Sequence, residues 1–146
     1  MGDILITIKT ACATIGGAIG YFFGGIDGIM IALISLVVAD YLTGVSVAFV
    51  QKKVSSNAGF KGIIRKLLIF VLVGSGTMLD HHVLGGNNVL RTAIIFFYIA
   101  NEGISICENC GNLGVPIPKK LKDALAQIKD KSEEESENIA DDSNQG

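Results

Sequence analysis

Apolar residues in this chain gather in four long blocks, at about 5–23, 29–50, 64–79 and 92–110, parted by short polar stretches. None alternates with period two, and each is longer than an ordinary strand, so each predicts a helix. At 1.5 Å per residue the first two blocks cover about 28 and 33 Å, enough for a hydrocarbon core of ~30 Å. The third covers only about 24 Å and is weakened by Gly74-Ser75-Gly76, so it must associate or thin the bilayer locally. Val115-Pro116-Ile117-Pro118 ends the fourth block. Beyond it, Leu121, Leu125 and Ile128 share one face of a basic amphipathic helix expected to lie on an anionic leaflet. The predicted fold class is an all-α integral membrane protein with three to four short transmembrane helices, four being favoured. Residues 1–112 form its membrane domain, 113–131 a basic amphipathic segment, and 132–146 a disordered acidic tail.

The polar residues inside the blocks are more informative than the apolar ones. Asp40 is the lone charge of the second block. A carboxylate in mid-membrane costs a few kcal/mol even on a lenient scale, which turns it away from lipid. Two readings stay open for it: a protonated structural group bonded to Thr43, or a group facing the interior of an oligomer. In the fourth block Tyr98, Asn101, Ser105, Glu108, Asn109 and Asn112 recur every three or four residues and share a face, with Glu102 beside them. The expected pore-lining or intramembrane polar set is Asp40, Thr43, Tyr98, Asn101, Glu102, Ser105 and Asn109. Small residues mark the expected packing faces, Gly16, Gly20 and Gly24 in the first helix and Ser35, Ala39 and Gly44 in the second.

Composition and charge refine this picture. Hydrophobic residues make up 49% of 146, and mean hydropathy is +0.50, too apolar to leave a soluble domain its polar surface. The net charge of −2 hides an asymmetry, because seven acids follow from Asp130 onward against Lys131 alone. The rest of the chain holds eleven basic and seven acidic residues. Lys52, Lys53, Lys61, Arg65 and Lys66 form a basic loop with no acid, placed in the cytoplasm by the positive-inside rule. A nucleic-acid role for it is excluded by the apolar blocks on both sides. The C-terminus is then cytoplasmic too, two spans away. Asp3 stands where a signal peptide would be basic, and Lys9 precedes Cys12, so the first block is read as uncleaved. Three cysteines make no disulfide framework; Cys107-x-x-Cys110 ends a helix with no βαβ pattern around it and reads as small residues in packing, and no second ligand pair at metal-site spacing accompanies His81-His82. No catalytic residue, metal or cofactor is expected.

Five segments in register carry a resemblance: Ala39–Gly44, Lys52–Ser56, Gly59–Ile63, Phe96–Ile106 and Leu113–Leu125. Together they resemble the phage-lysis and toxin-secretion holins, a family that includes clostridial prophage holins. The resemblance covers roughly residues 29–129. It implies a small protein of the bacterial cytoplasmic membrane that homo-oligomerises into lesions. Through these an endolysin, or in some loci a large toxin, reaches the wall without necessary direct contact. The competing class is a small multidrug or ion transporter with embedded carboxylates. Against it, the two halves lack inverted-repeat likeness, and the polar residues form a stripe rather than a pocket.

Overall fold

The computed structural model describes residues 1–144 as five α-helices: α1 (Gly2–Phe23), α2 (Gly28–Val50), α3 (Ser56–His82), α4 (Val89–Asn112) and α5 (Lys119–Asn144). The first four are each long and apolar enough to cross a membrane, which settles the number of candidate spans at four. The third is much longer than its apolar block. Ser55 in extended conformation precedes the first turn, and Lys61, Arg65 and Lys66 lie on the helix, not in a loop. Lysine and arginine are good helix formers whose stems accept apolar surroundings, so the helix outruns the hydrophobic run that advertises it.

The centre is a three-helix packing of α2, α3 and α4 around Met30, Leu33, Val37, Ile69, Val73 and Ile95. On α3 the buried positions step Ile69, Val73, Thr77 and Asp80, one stripe of a 3.6-residue period. Outward-facing Ile31, Leu42 and Phe49 are 54%, 59% and 75% exposed, as suits side chains facing lipid. The tightest approaches lie at Gly74, Gly76 and Gly103, while a Cβ at Gly24 would stand 3.0 Å from Arg91 Nε. A Cβ at Gly74 would run into the Phe22 ring, one at Gly76 would stand 2.5 Å from Ile94, and one at Gly103 would stand 2.7 Å from Leu125.

Helix α1 meets the bundle near its own C-terminal end, mainly against α3 and through the Phe23 carbonyl with Arg91 of α4, and buries no residue. Gly16 and Gly20 therefore meet nothing within one copy of the chain, and Gly24 (φ +68°) is the left-handed cap that ends α1. On α2, Ser35 faces outward and returns its hydroxyl to the Ile31 carbonyl, while Ala39 and Gly44 are half-buried.

Helix α5 departs from expectation in extent and in place. It continues to Asn144 through most of the segment expected to be disordered; Gln145 and Gly146 lie outside the described residues. Its glutamates and lysines favour helix, and Leu125 and Ser132 continue a buried edge past the basic part. The helix does not lie apart from the bundle but runs antiparallel along α4, the most extensive helix–helix contact in the structure. Leu125 covers Gly103, the Lys129 ammonium sits 5.8 Å from the Phe97 ring centre, and Glu133 and Glu137 border Ile94 and Tyr98.

Candidate functional site

Where α2, α3 and α4 meet, a set of polar side chains closes on itself. The Lys66 ammonium donates to Asp40 Oδ2 at 2.6 Å and to Glu102 Oε2 at 2.5 Å. Asn109 Nδ2 donates to Asp40 Oδ1 at 3.0 Å and to Thr43 Oγ1 at 3.1 Å. Thr43 in turn donates to the Asp40 carbonyl at 3.0 Å. The three charged side chains are only 11–15% exposed, so each depends on the others for solvation. Asp40 is thus neither isolated nor bonded to Thr43 through its carboxyl. Its side chain is held by a lysine and an amide.

The sequence-predicted stripe on α4 divides. Glu102 and Asn109 point into the cluster, seven residues apart on one helical face. Tyr98 is half-buried against the central core and makes an edge contact with Phe97. Asn101 and Ser105 are half-buried and have no side-chain hydrogen-bond partner among the described residues. Lys66, assigned by charge pattern to a solvent loop, is the counter-ion of the cluster. The signal was present, since stepping back from Val73 through Ile69 at helical spacing reaches Lys66 on the buried face of α3. Lys52 and Lys53 stay in the α2–α3 connection, exposed.

A second polar knot, unforeseen in the sequence, ties the opposite ends of the helices. Arg91, 3% exposed, donates from Nε to the Phe23 carbonyl at 2.7 Å and from Nη2 to the Gly25 carbonyl at 3.1 Å. Its two terminal nitrogens grip Asp27 at 2.8 and 3.2 Å, the bidentate geometry an arginine offers a carboxylate. Asp27 also caps α2 by accepting from Met30 N at 3.0 Å. The Arg91 hydrogen bond holds the Asp27 carboxyl below its ordinary range, against an opposing effect of burial. Asp80, 1% exposed, accepts from Leu90 N and Arg91 N at 3.1 and 2.7 Å, capping α4 from another helix.

No grouping of three or more metal-binding side chains occurs among the described residues. The two polar knots are buried charges that lock the spanning helices together, and a charged helix, α5, lies along α4.

Comparison with known proteins agrees with this architecture. Residues 17–130 match the model of the bacteriophage holin family. An uncharacterised 14.9 kDa protein from the nagH 3′ region of Clostridium perfringens is 44% identical over 131 residues, 90% of this chain and 99% of its own length. An uncharacterised protein of Listeria innocua is 39% identical over 132 residues, 90% of this chain and 94% of its own. A probable holin of Bacillus phage phi105 is 36% identical over 117 residues, 80% of this chain and 85% of that one. No solved structure matches. Four helices able to span a membrane and a family match over most of its length identify this chain as a multi-pass membrane protein of the bacteriophage holin family.

Proposed function

We propose that copies of this chain assemble in the bacterial cytoplasmic membrane into water-filled lesions bordered by α4. Folded endolysin, or a large exported toxin, crosses through them. The observation that carries this reading is the course of α5. Its outer face bears Lys122, Asp130, Glu134 and other charges, each costing several kcal/mol in lipid, yet it runs back along a spanning helix. The side of α4 that carries α5 therefore needs water, which supports a hydrated surface on that side and lipid on the other. The interior of one copy is filled by Leu33, Val73 and Ile95, so the water has to lie between copies.

In this mechanism the cluster of Asp40, Lys66, Glu102 and Asn109 keeps α2, α3 and α4 together as a unit. Tyr98, Asn101 and Ser105 supply the polar part of the α4 surface. Copies join through α1, whose Cys12, Gly16 and Gly20 face is open in the single chain and can admit a second backbone closely. The basic α2–α3 connection lies in the cytoplasm, and α5 sets out from that same side.

Thiol labelling tests the arrangement. In a variant with Cys12, Cys107 and Cys110 replaced by serine, single cysteines at Asn101 or Ser105 are expected to react with a membrane-impermeant maleimide once lesions form. A single cysteine at Leu42 is expected to stay unlabelled. Equal protection at all three positions would remove α4 from the water-facing surface.

A further inference from the structure

Between the Asp40–Lys66 ion pair and the α2–α3 connection, helices α2 and α3 line a groove of about 550 Å³. The cause is the choice of side chains. Gly44 and Ala48 on α2 face Gly59 and Gly62 on α3, and Tyr41 lays its ring across those two glycines. Among the described residues nothing fills the rest. The walls are mainly apolar, with Val45 and Ile63 42% and 43% exposed. The volume falls within the ~300–1,000 Å³ of ordinary small-ligand sites. In a membrane, an open apolar groove of this kind does not stay empty.

The mouth of the groove has one sign of charge. Lys53, Ser55 and Ser56 stand there, and Lys52, Lys61 and Arg65 lie nearby with no acid between residues 51 and 66. Ser55 precedes α3 without making a side-chain cap bond, and the first turn of α3 contains no acidic residue. The amide hydrogens of that turn lack helical acceptors and carry the positive end of the helix dipole. An anion at the mouth would meet both lysine charge and free N–H groups, while an apolar chain below it would meet Val45, Phe60 and Ile63. Basic pockets between spanning helices at the membrane surface suit lipid head groups for this reason.

We propose that the α2–α3 groove binds an anionic phospholipid, phosphate at Lys53 and the Ser55–Ser56 turn, one acyl chain along Gly44, Ala48 and Ile63. Charge complementarity separates this occupant from a neutral lipid, which would use the walls and waste the mouth. At the floor Asp40 is held by the Lys66 ammonium, so the carboxyl beneath the chain end has an ion-pair partner.

The test uses the full chain in nanodiscs of equal phosphatidylglycerol and phosphatidylcholine, followed by gentle extraction and native mass spectrometry of retained lipid. Phosphatidylglycerol is expected to be retained in clear preference. Lys53→Gln, at an exposed position that leaves folding intact, should weaken the preference by about fivefold. Ala48→Phe should displace both lipids by filling the groove, with helicity by circular dichroism reporting that the bundle survives. Equal retention of the two lipids by the parent protein would overturn the proposal. So would undiminished phosphatidylglycerol retention in Ala48→Phe, or efficient cross-linking of an Ala48→Cys variant to a second copy, which would assign the groove to protein.

Discussion

Lys66 reaches Glu102 across the α3–α4 interface at 2.5 Å, and this one contact changes how both residues are understood. Read alone, Glu102 is an acid stranded in a spanning helix and Lys66 an interfacial cation. Together with Asp40 they form a buried triad in which one ammonium neutralises part of two carboxylates. Breaking such a set by removing one member leaves the others uncompensated, at a cost of about 3–5 kcal/mol. Lys66→Met is therefore expected to destabilise the detergent-solubilised protein by that order. Glu102→Gln in the same background should recover part of the loss. A double-mutant cycle measured by denaturant unfolding checks the coupling, and strict additivity of the two changes would mean that the residues do not interact.

Asp80 makes a second prediction. Asn88, which precedes α4, has left-handed geometry and offers no side-chain cap, so Asp80 of α3 takes that role for Leu90 and Arg91. Asp80→Ala should cost about 1–2 kcal/mol. Amide exchange should quicken at the start of α4 and leave its second half protected. Uniform loss along α4 would point to a global defect instead.

The Asp27–Arg91 pair predicts a response to acid. Because Arg91 lowers the Asp27 carboxyl below its ordinary 3.8, the folded state binds fewer protons there than the unfolded chain. Its stabilisation is complete above that value and is lost as pH falls from 3.8 through the lower folded value. Asp27 is 49% exposed, so solvent screening keeps the effect small. Thermal unfolding in detergent should drop more steeply below about pH 4 in the parent than in Asp27→Asn. Parallel curves would contradict the shift.

How far these features can be read in advance depends on what each rests upon. The α2 and α4 spans are legible because their apolar runs nearly coincide with the helices. The start of α3 is not, since hydropathy marks where lipid contact begins rather than where hydrogen bonding does. Asp40, Glu102 and Asn109 stand out as polar residues in apolar surroundings, and all three meet. Their lysine is hidden because it lies among other basic residues, and only its register with Ile69 and Val73 betrays it. Arg91, Asp27 and Asp80 sit at helix ends, where charged residues are ordinary and solvation is the natural reading. Their partnership depends on which helix ends are neighbours, a tertiary fact. The docking of α5 escaped for a similar reason: its acidic composition suggests an unfolded tail, and only Gly103 makes room for Leu125 on α4.

That last contact is open to direct test. Gly103→Leu removes the hollow into which Leu125 fits, where even a Cβ would stand 2.7 Å from the leucine. The variant is expected to lose amide protection across α5 while α2 and α3 stay protected. Retention of α5 protection would show that the α4–α5 packing does not depend on this glycine.

The central claim, a lesion wide enough for folded protein, is tested most directly by controlled expression of this chain alone in bacteria carrying a folded cytoplasmic reporter enzyme. Growth, membrane potential and reporter activity outside the cytoplasmic membrane are followed together. The expected result is an abrupt arrest with collapse of potential and release of the enzyme, and lysis only when an endolysin is supplied. Continued growth with the potential intact and the reporter retained would contradict the account.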